Sequence, residues 1–140
     1  MIVVLDTNAL LQTFGQASPC AAIREALRQG RLELAVSTPI LLEYEEVILR
    51  YAGRQRWADV WNFLTLVDLL HGTIRRIGPS YRFHTITGDP DDDAFADCAI
   101  AAGAECIITS DHHFAALTSS GYRPQPITPG EFIRRHLGGA

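Results

Sequence analysis

The first eight residues, Met1-Ile-Val-Val-Leu-Asp-Thr-Asn8, constrain this chain more than any other stretch. The continuous apolar run Ile2–Leu5 reads as a strand buried on both faces, as in a parallel sheet covered by helices. The run stops abruptly at Asp6. In open parallel sheets, ligands collect in the crevice beyond the carboxyl ends of the strands. Asp6 is therefore expected at the tip of the central strand, facing that crevice. The arrangement recurs: Cys106-Ile-Ile-Thr-Ser110 runs apolar and then delivers Asp111. If the two strands are parallel neighbours, both acids stand on one rim.

The remaining pattern alternates helices with strands. Ala9 to Phe14 reads as a short helix ended by Gly15. Ser18-Pro19 opens another, with Ser as N-cap and Pro at the first helical position, running to Gln29. Leu32–Val36 is a strand, and Ser37-Thr38-Pro39 starts the next helix. Gly53 with Arg54-Gln-Arg56 reads as a break before a helix that continues to Leu70 and stops at Gly72. Thr73–Ile77 is a third strand and Gly78–Gly88 a loop. Asp91–Ala102 is a helix, Glu105–Thr109 a strand, and a short helix follows Asp111. Pro124–Thr128 fits an edge strand and Pro129–Leu137 a last helix. Strands joined by helical crossovers predict one three-layer α/β/α domain over residues 1–140, with a mostly parallel sheet.

Composition narrows the class. With 140 residues, 47% hydrophobic and 20% charged, the chain can bury a sizeable core. Its apolar runs fall far short of the roughly 20 residues of a membrane helix. No basic segment precedes the first strand, so no signal peptide is expected. Cys20, Cys98 and Cys106 are odd in number and lack metal-ligand spacing, which reads as reduced core residues of a cytoplasmic protein. All 12 basic residues are arginine and the net charge is -4. A cluster of site carboxylates can dominate that sum, so it neither supports nor excludes a nucleic-acid substrate.

Further acids are placed to meet Asp6 and Asp111. Glu43 lies in the first turns of the helix after the second strand, over the same rim. Asp89-Pro-Asp-Asp-Asp93 precedes or opens the helix that feeds the Cys106 strand, and a right-handed crossover brings that start to the rim. Each acid has a plain structural explanation: turns favour Asp, helix starts favour acids, and Glu43 is followed by Glu45 and Glu46 on a helix that has a solvated face. Those explanations do not account for four elements delivering carboxylates to one sheet end. Two carboxylates about 4 Å apart repel by about 4 kcal/mol at an effective dielectric near 20. A convergent set either raises pKa values or holds a cation, and hard Mg²⁺ or Mn²⁺ takes such oxygen ligands. An EF-hand loop is excluded: counting from Asp89, the sixth position is Ala94 instead of Gly and the twelfth Ile100 instead of Glu.

Val3-Val-Leu-Asp-Thr-Asn-Ala-Leu10, Glu43-Tyr-Glu-Glu-Val-Ile-Leu-Arg50, Asp89-Pro-Asp-Asp-Asp-Ala-Phe95 with Ala99, and Ile107-Ile-Thr-Ser-Asp111 together resemble the PIN-domain family. The branch they look most like comprises toxin components of bacterial toxin–antitoxin pairs, akin to the VapC toxins. The resemblance runs from Met1 to Thr128-Pro-Gly-Glu-Phe132. It implies a metal-dependent ribonuclease with a cognate antitoxin, a homodimer as the usual assembly, and products with 5′-phosphate and 3′-hydroxyl ends. It also implies that Asp6, Glu43 and Asp111 are metal-binding acids. The third family acid falls on Asp93 by the commoner spacing and on Asp92 by the alternative one, with Asp97 a turn later on the same face. Relatives often carry Arg before the Asp-Pro pair, where this chain has Gly88.

On that scheme Asp6, Asp93 or Asp92, and Asp111 hold the ion, Asn8 and Thr109 orient them, and Glu43 positions the attacking water. Arg50, Arg54, Arg56, Arg75, Arg76 and Arg82 are candidates for backbone contacts, with Trp57, Tyr81 and His84 as stacking partners. His112 and His113, beside Asp111, read as surface histidines, with an added metal ligand as the alternative. No heptad or apolar stripe in the sequence announces the dimer. Phosphotransferases of the haloacid-dehalogenase type need an acid where Asn8 stands and a Lys the chain lacks; response-regulator receivers need the Lys too. A catalytically silent relative that binds RNA or protein remains the alternative reading.

Overall fold

A computed structural model of the protein describes residues 1–15, 17–78 and 90–138, with backbone alone at 90–93 and 119. The elements are β1 (Ile2–Leu5), α1 (Thr7–Thr13), α2 (Ala21–Arg28), β2 (Glu33–Val36), α3 (Thr38–Tyr51), α4 (Arg54–His71) and β3 (Ile74–Arg76). They continue with α5 (Pro90–Ala102), β4 (Cys106–Ile108), a 3₁₀ segment (His112–Ser119), β5 (Gln125–Ile127) and α6 (Pro129–His136). The strands form one sheet in the order β3-β2-β1-β4-β5, parallel at every pairing. The chain builds outward from β1 to β3 and then returns to the other side of β1. The order therefore reverses between β1 and β4, and this switch point is where such sheets open a crevice.

The apolar runs explain the core. Val3, Val4 and Leu5 of β1 and Ile107 and Ile108 of β4 are fully buried, each large side chain contributing roughly 1.5–3 kcal/mol. Helix α5 lies across β1, β2 and β4, while α3 packs on α1, α4 and α5. The result is a three-layer α/β/α arrangement around a parallel sheet, as the alternation predicts.

Two differences from the sequence reading have local causes. Helix α2 begins at Ala21, because the Ser18 hydroxyl accepts from the Cys20 N–H (3.1 Å) and Ala21 N–H bonds the Ser18 carbonyl (3.1 Å). That tight turn satisfies the first donors before the helical ladder starts. The Arg54–Arg56 segment is helical. Gly53, at φ 91°, makes the break alone, and the Trp57 N–H already bonds its carbonyl at 3.1 Å. The predicted loop Gly78–Gly88 lies mostly outside the described residues. Cys98 and Cys106 are buried free thiols as expected, but Cys20 is only partly buried.

One contact fixes α3 against the tip of β1. Tyr44 is fully buried, and its hydroxyl donates to the Leu5 carbonyl at 2.6 Å. Burial, reinforced by the acidic groups of Cys98 and Asp6 nearby, pushes this phenol well above its ordinary pKa, so it stays a donor. Tyr44→Phe should leave the secondary structure unchanged while costing about 1–3 kcal/mol, the usual penalty for stranding a buried carbonyl. Urea unfolding followed by circular dichroism would measure the loss, and a Phe variant as stable as the parent would refute it.

Candidate active site

Strand β1 ends directly in a helix cap. Asp6 has extended backbone (φ -70°, ψ 167°), and its Oδ1 accepts from the Ala9 N–H at 2.8 Å, opening α1. Its own N–H donates to the Ile108 carbonyl at 3.2 Å, continuing the parallel pairing in which Leu5 stands opposite Ile108. Asp111 does the same service one strand over: its Oδ1 accepts from the His113 N–H at 2.9 Å and caps the 3₁₀ segment. Both acids are thus structural caps, and both are delivered to the switch point by strands in register.

Thr109 ties them together. Its hydroxyl donates to Asp6 Oδ2 and accepts from the Asp111 N–H at 2.9 Å. Thr109 and Asp6 are buried, at 3% and 7% exposure, whereas Asp111 is half-buried. Burial is the largest influence on Asp6 and raises its pKa; the Thr109 and Ala9 donors lower it, and the Asp111 charge raises it again, leaving it above the ordinary value. Asp111 Oδ2 has no hydrogen-bond partner among the described residues. The two carboxylates share a cleft of about 420 Å³ with Asn8, Leu11, Gln12 and Ser110.

The other sequence candidates are distributed around this centre. Glu43 sits on α3 next to Tyr44, half-buried, and is not among the described residues lining the cleft. Asp92 and Asp93 occupy the first turn of α5, and Asp97, one turn after Asp93 on the same face, is buried. The side chains of Asp92 and Asp93 lie outside the described residues, as do Arg82, Tyr81 and His84. Among the described residues, no three metal-ligating side chains gather.

Several arginines have protein partners. Arg50 pairs with Glu46 (3.4 Å), Arg75 with Glu33 (2.8 Å) and Arg76 with Asp68 (3.6 Å), while Arg56 donates to the Phe14 carbonyl (2.9 Å). Arg54 is exposed, and Trp57 packs on Trp61 with ring centroids 5.7 Å apart. Leu11 and Gln12, missed in the sequence, follow Asn8 at i+3 and i+4, the spacing that puts three residues on one helix face. The surface of α4 was also missed: Trp61, Leu66, Leu69 and Leu70 are exposed. Its signal was a helix apolar on nearly all sides.

A parallel α/β/α sheet with paired aspartates at its switch point defines a class, and sequence comparison supplies the family. A model of the PIN domain matches residues 2–113. The chain belongs to the PIN-domain family. No curated protein matches the sequence significantly. Among solved structures, the fold is similar to a chain of VapBC2 from Rickettsia felis bound to a DNA fragment from their promoter, with TM-score 0.58 and 16% identity, over 90% of this chain and 98% of that one. It is also similar to the RRP44 PIN domain of T. brucei, with TM-score 0.51 and 14% identity, over 99% of this chain and 79% of that one. At such identities the likeness is one of fold.

The raised Asp6 pKa has a stability consequence. The folded state holds this proton more tightly than the unfolded chain, so its contribution is present at acid pH and lost as pH rises through the raised value. Asp6→Asn keeps a capping oxygen and removes the buried charge. It should raise Tm at neutral pH, by roughly 4 °C per kcal/mol relieved, and remove part of the decline in Tm between acid and neutral pH. Thermal scans across pH would check this; a variant with the parent's pH profile would refute it.

Proposed function

We propose that this protein is a metal-dependent ribonuclease hydrolysing RNA phosphodiester bonds, and the toxin of a toxin–antitoxin pair. The observation that carries the reading is the Thr109 hydroxyl, which donates to the Asp6 carboxylate and accepts from the Asp111 N–H and so keeps both acids at one rim of the sheet. Repelling carboxylates collected in one open cleft make sense as hard oxygen donors. Family membership and the likeness to VapBC2 and to the RRP44 PIN domain support the same choice.

The donor set fits Mg²⁺ or Mn²⁺: Asp6 and Asp111, completed by Asp93 or Asp92 from the first turn of α5. When bound, such an ion supplies Lewis acidity, acidifying water and offsetting charge that develops on the phosphoryl oxygens. The protein's own groups do the rest. The Ala9 N–H and Thr109 hydroxyl fix the Asp6 carboxylate, as outer groups commonly orient ligands. Asn8, exposed at the cleft, contacts the RNA backbone, and Arg50 and Arg82 add positive charge along its path. Glu43, on the helix that Tyr44 pins to β1, positions water for in-line attack. The new P–O bond forms as the bond to the 3′-oxygen breaks, leaving a 5′-phosphate and a 3′-hydroxyl.

As the toxin of a pair, the protein works in the cytoplasm as a homodimer and is restrained by its antitoxin. No helix among the described residues is long and apolar enough to cross a membrane. The exposed Trp61, Leu66, Leu69 and Leu70 of α4 suit a protein contact, since apolar patches of this kind mark interfaces.

Incubation of the purified protein with a mixed RNA pool tests the reading. Cleavage should require Mg²⁺ or Mn²⁺ and stop with EDTA. Asp6→Asn and Asp111→Asn should each lower the rate at least roughly 100-fold, Thr109→Val roughly 10–100-fold, and Thr109→Ser should restore most of it. In parallel, saturating Mn²⁺ at about 100 times its Kd should stabilise the parent by roughly 2.7 kcal/mol and the Asp6→Asn variant much less. Folded protein that cuts no RNA with either ion would overturn the reading in favour of a silent binding module.

A further inference from the structure

The carboxylate cleft between β1 and β4 adjoins a second one over β4 and β5. The two share Ser110 and Asp111 as a common wall. The second cleft, about 220 Å³, is lined by Ala115 and Thr118 of the 3₁₀ segment and by Pro126, Ile127 and Thr128 at the end of β5, with His112 at its edge. A polynucleotide cut at the first cleft has to leave it in two directions. The second cleft is a neighbouring depression on the same rim, formed by described residues.

Its chemistry differs from that of the first. No arginine is among the described lining residues, and the one carboxylate, Asp111, stands on the shared wall. A phosphate there would face a negative charge with no cation to offset it. The floor is apolar, and two hydroxyls flank it. Thr118 donates its hydroxyl hydrogen to the Ala115 carbonyl at 2.7 Å, which leaves its oxygen free to accept. Thr128 accepts from the Glu131 N–H at 3.2 Å, and its own O–H has no acceptor among the described residues. One acceptor and one donor thus border an uncharged slot. At its edge the His112 side chain is 90% exposed and rests against the His113 ring, centroids 4.6 Å apart. RNA bases stack on such rings.

We propose that this second cleft is a nucleoside subsite: it takes the uncharged base and ribose of the nucleotide adjoining the scissile phosphate, with the base against His112 and the hydroxyls of Thr118 and Thr128 on its polar edge. The assignment rests on the nuclease reading, but its test does not require cleavage. Adenosine is titrated into ¹⁵N-labelled protein, with inorganic phosphate as a separate probe. Adenosine should shift the amides of Ala115, Thr118 and Ile127 in a saturable way, and phosphate should leave them in place. His112→Ala should weaken adenosine binding roughly tenfold, in line with the loss of one base–ring stack, and His112→Phe should retain it. Ala115→Trp, which fills the slot from its rim, should abolish the shifts.

Absence of adenosine-dependent shifts at these amides would overturn the subsite. So would equal shifts with phosphate, or undiminished binding in the folded Ala115→Trp protein. Any of these leaves the nuclease reading to stand on its own cleavage assay. Nucleoside binding by a protein that cuts no RNA would sink the nuclease and keep the cleft as a nucleoside-binding site alone.

Discussion

A buried carboxylate is expensive, and the organisation of this molecule follows from keeping one at the tip of its central strand. Asp6 is nearly excluded from water, yet each of its oxygens receives one hydrogen bond, from the Ala9 N–H and the Thr109 hydroxyl. The first ties it to α1 and the second to the strand beside it. The Thr109 donor is in place only because β1 and β4 run parallel with Leu5 opposite Ile108. Burial still dominates, and the carboxyl retains a proton more readily than an ordinary aspartic acid. A cation at this position would remove the penalty that two hydrogen bonds only reduce.

The surroundings keep that centre fixed. Tyr44 anchors α3 on the Leu5 carbonyl, one residue before Asp6, which also sets the place of Glu43. Cys98 and Cys106 are buried close to the same elements, and burial pushes both thiols up to about 12. They remain neutral packing groups and offer no soft thiolate to compete with carboxylate oxygens for a metal.

Capping and chemistry are not rival explanations for the aspartates. Asp6 and Asp111 each use Oδ1 to cap the element that follows their strand. A carboxylate has more acceptor capacity than one capping bond consumes. Both residues line the cleft, and each cap holds its side chain in one orientation. The feature that made each acid look ordinary in sequence is the one that aims it.

How much could be read from the sequence depended on the range of the interaction. Strands, crossovers and the arrival of Asp6 and Asp111 at one rim follow from hydrophobic period and chain direction, which are local. The start of α2 was missed because a side-chain hydroxyl at Ser18 competes with the helix for the same N–H, a contest that residue type alone does not decide. Thr109 was readable as a neighbour of Asp111, but its bond to Asp6 spans 103 positions and exists only because β4 pairs with β1. Tyr44 gave no sign of its role, since an aromatic between acids on a helix fits core or surface equally well. The second cleft is further still from the sequence. It forms where the 3₁₀ segment and β5 meet, from small and hydroxyl residues that carry no motif. The sequence by itself determined the sheet, its direction and the acids at its edge, because apolar periodicity and turn chemistry act over a few residues. Only the tertiary structure decided which groups one hydroxyl bridges, which are buried and which clefts adjoin, because those depend on strand order and register.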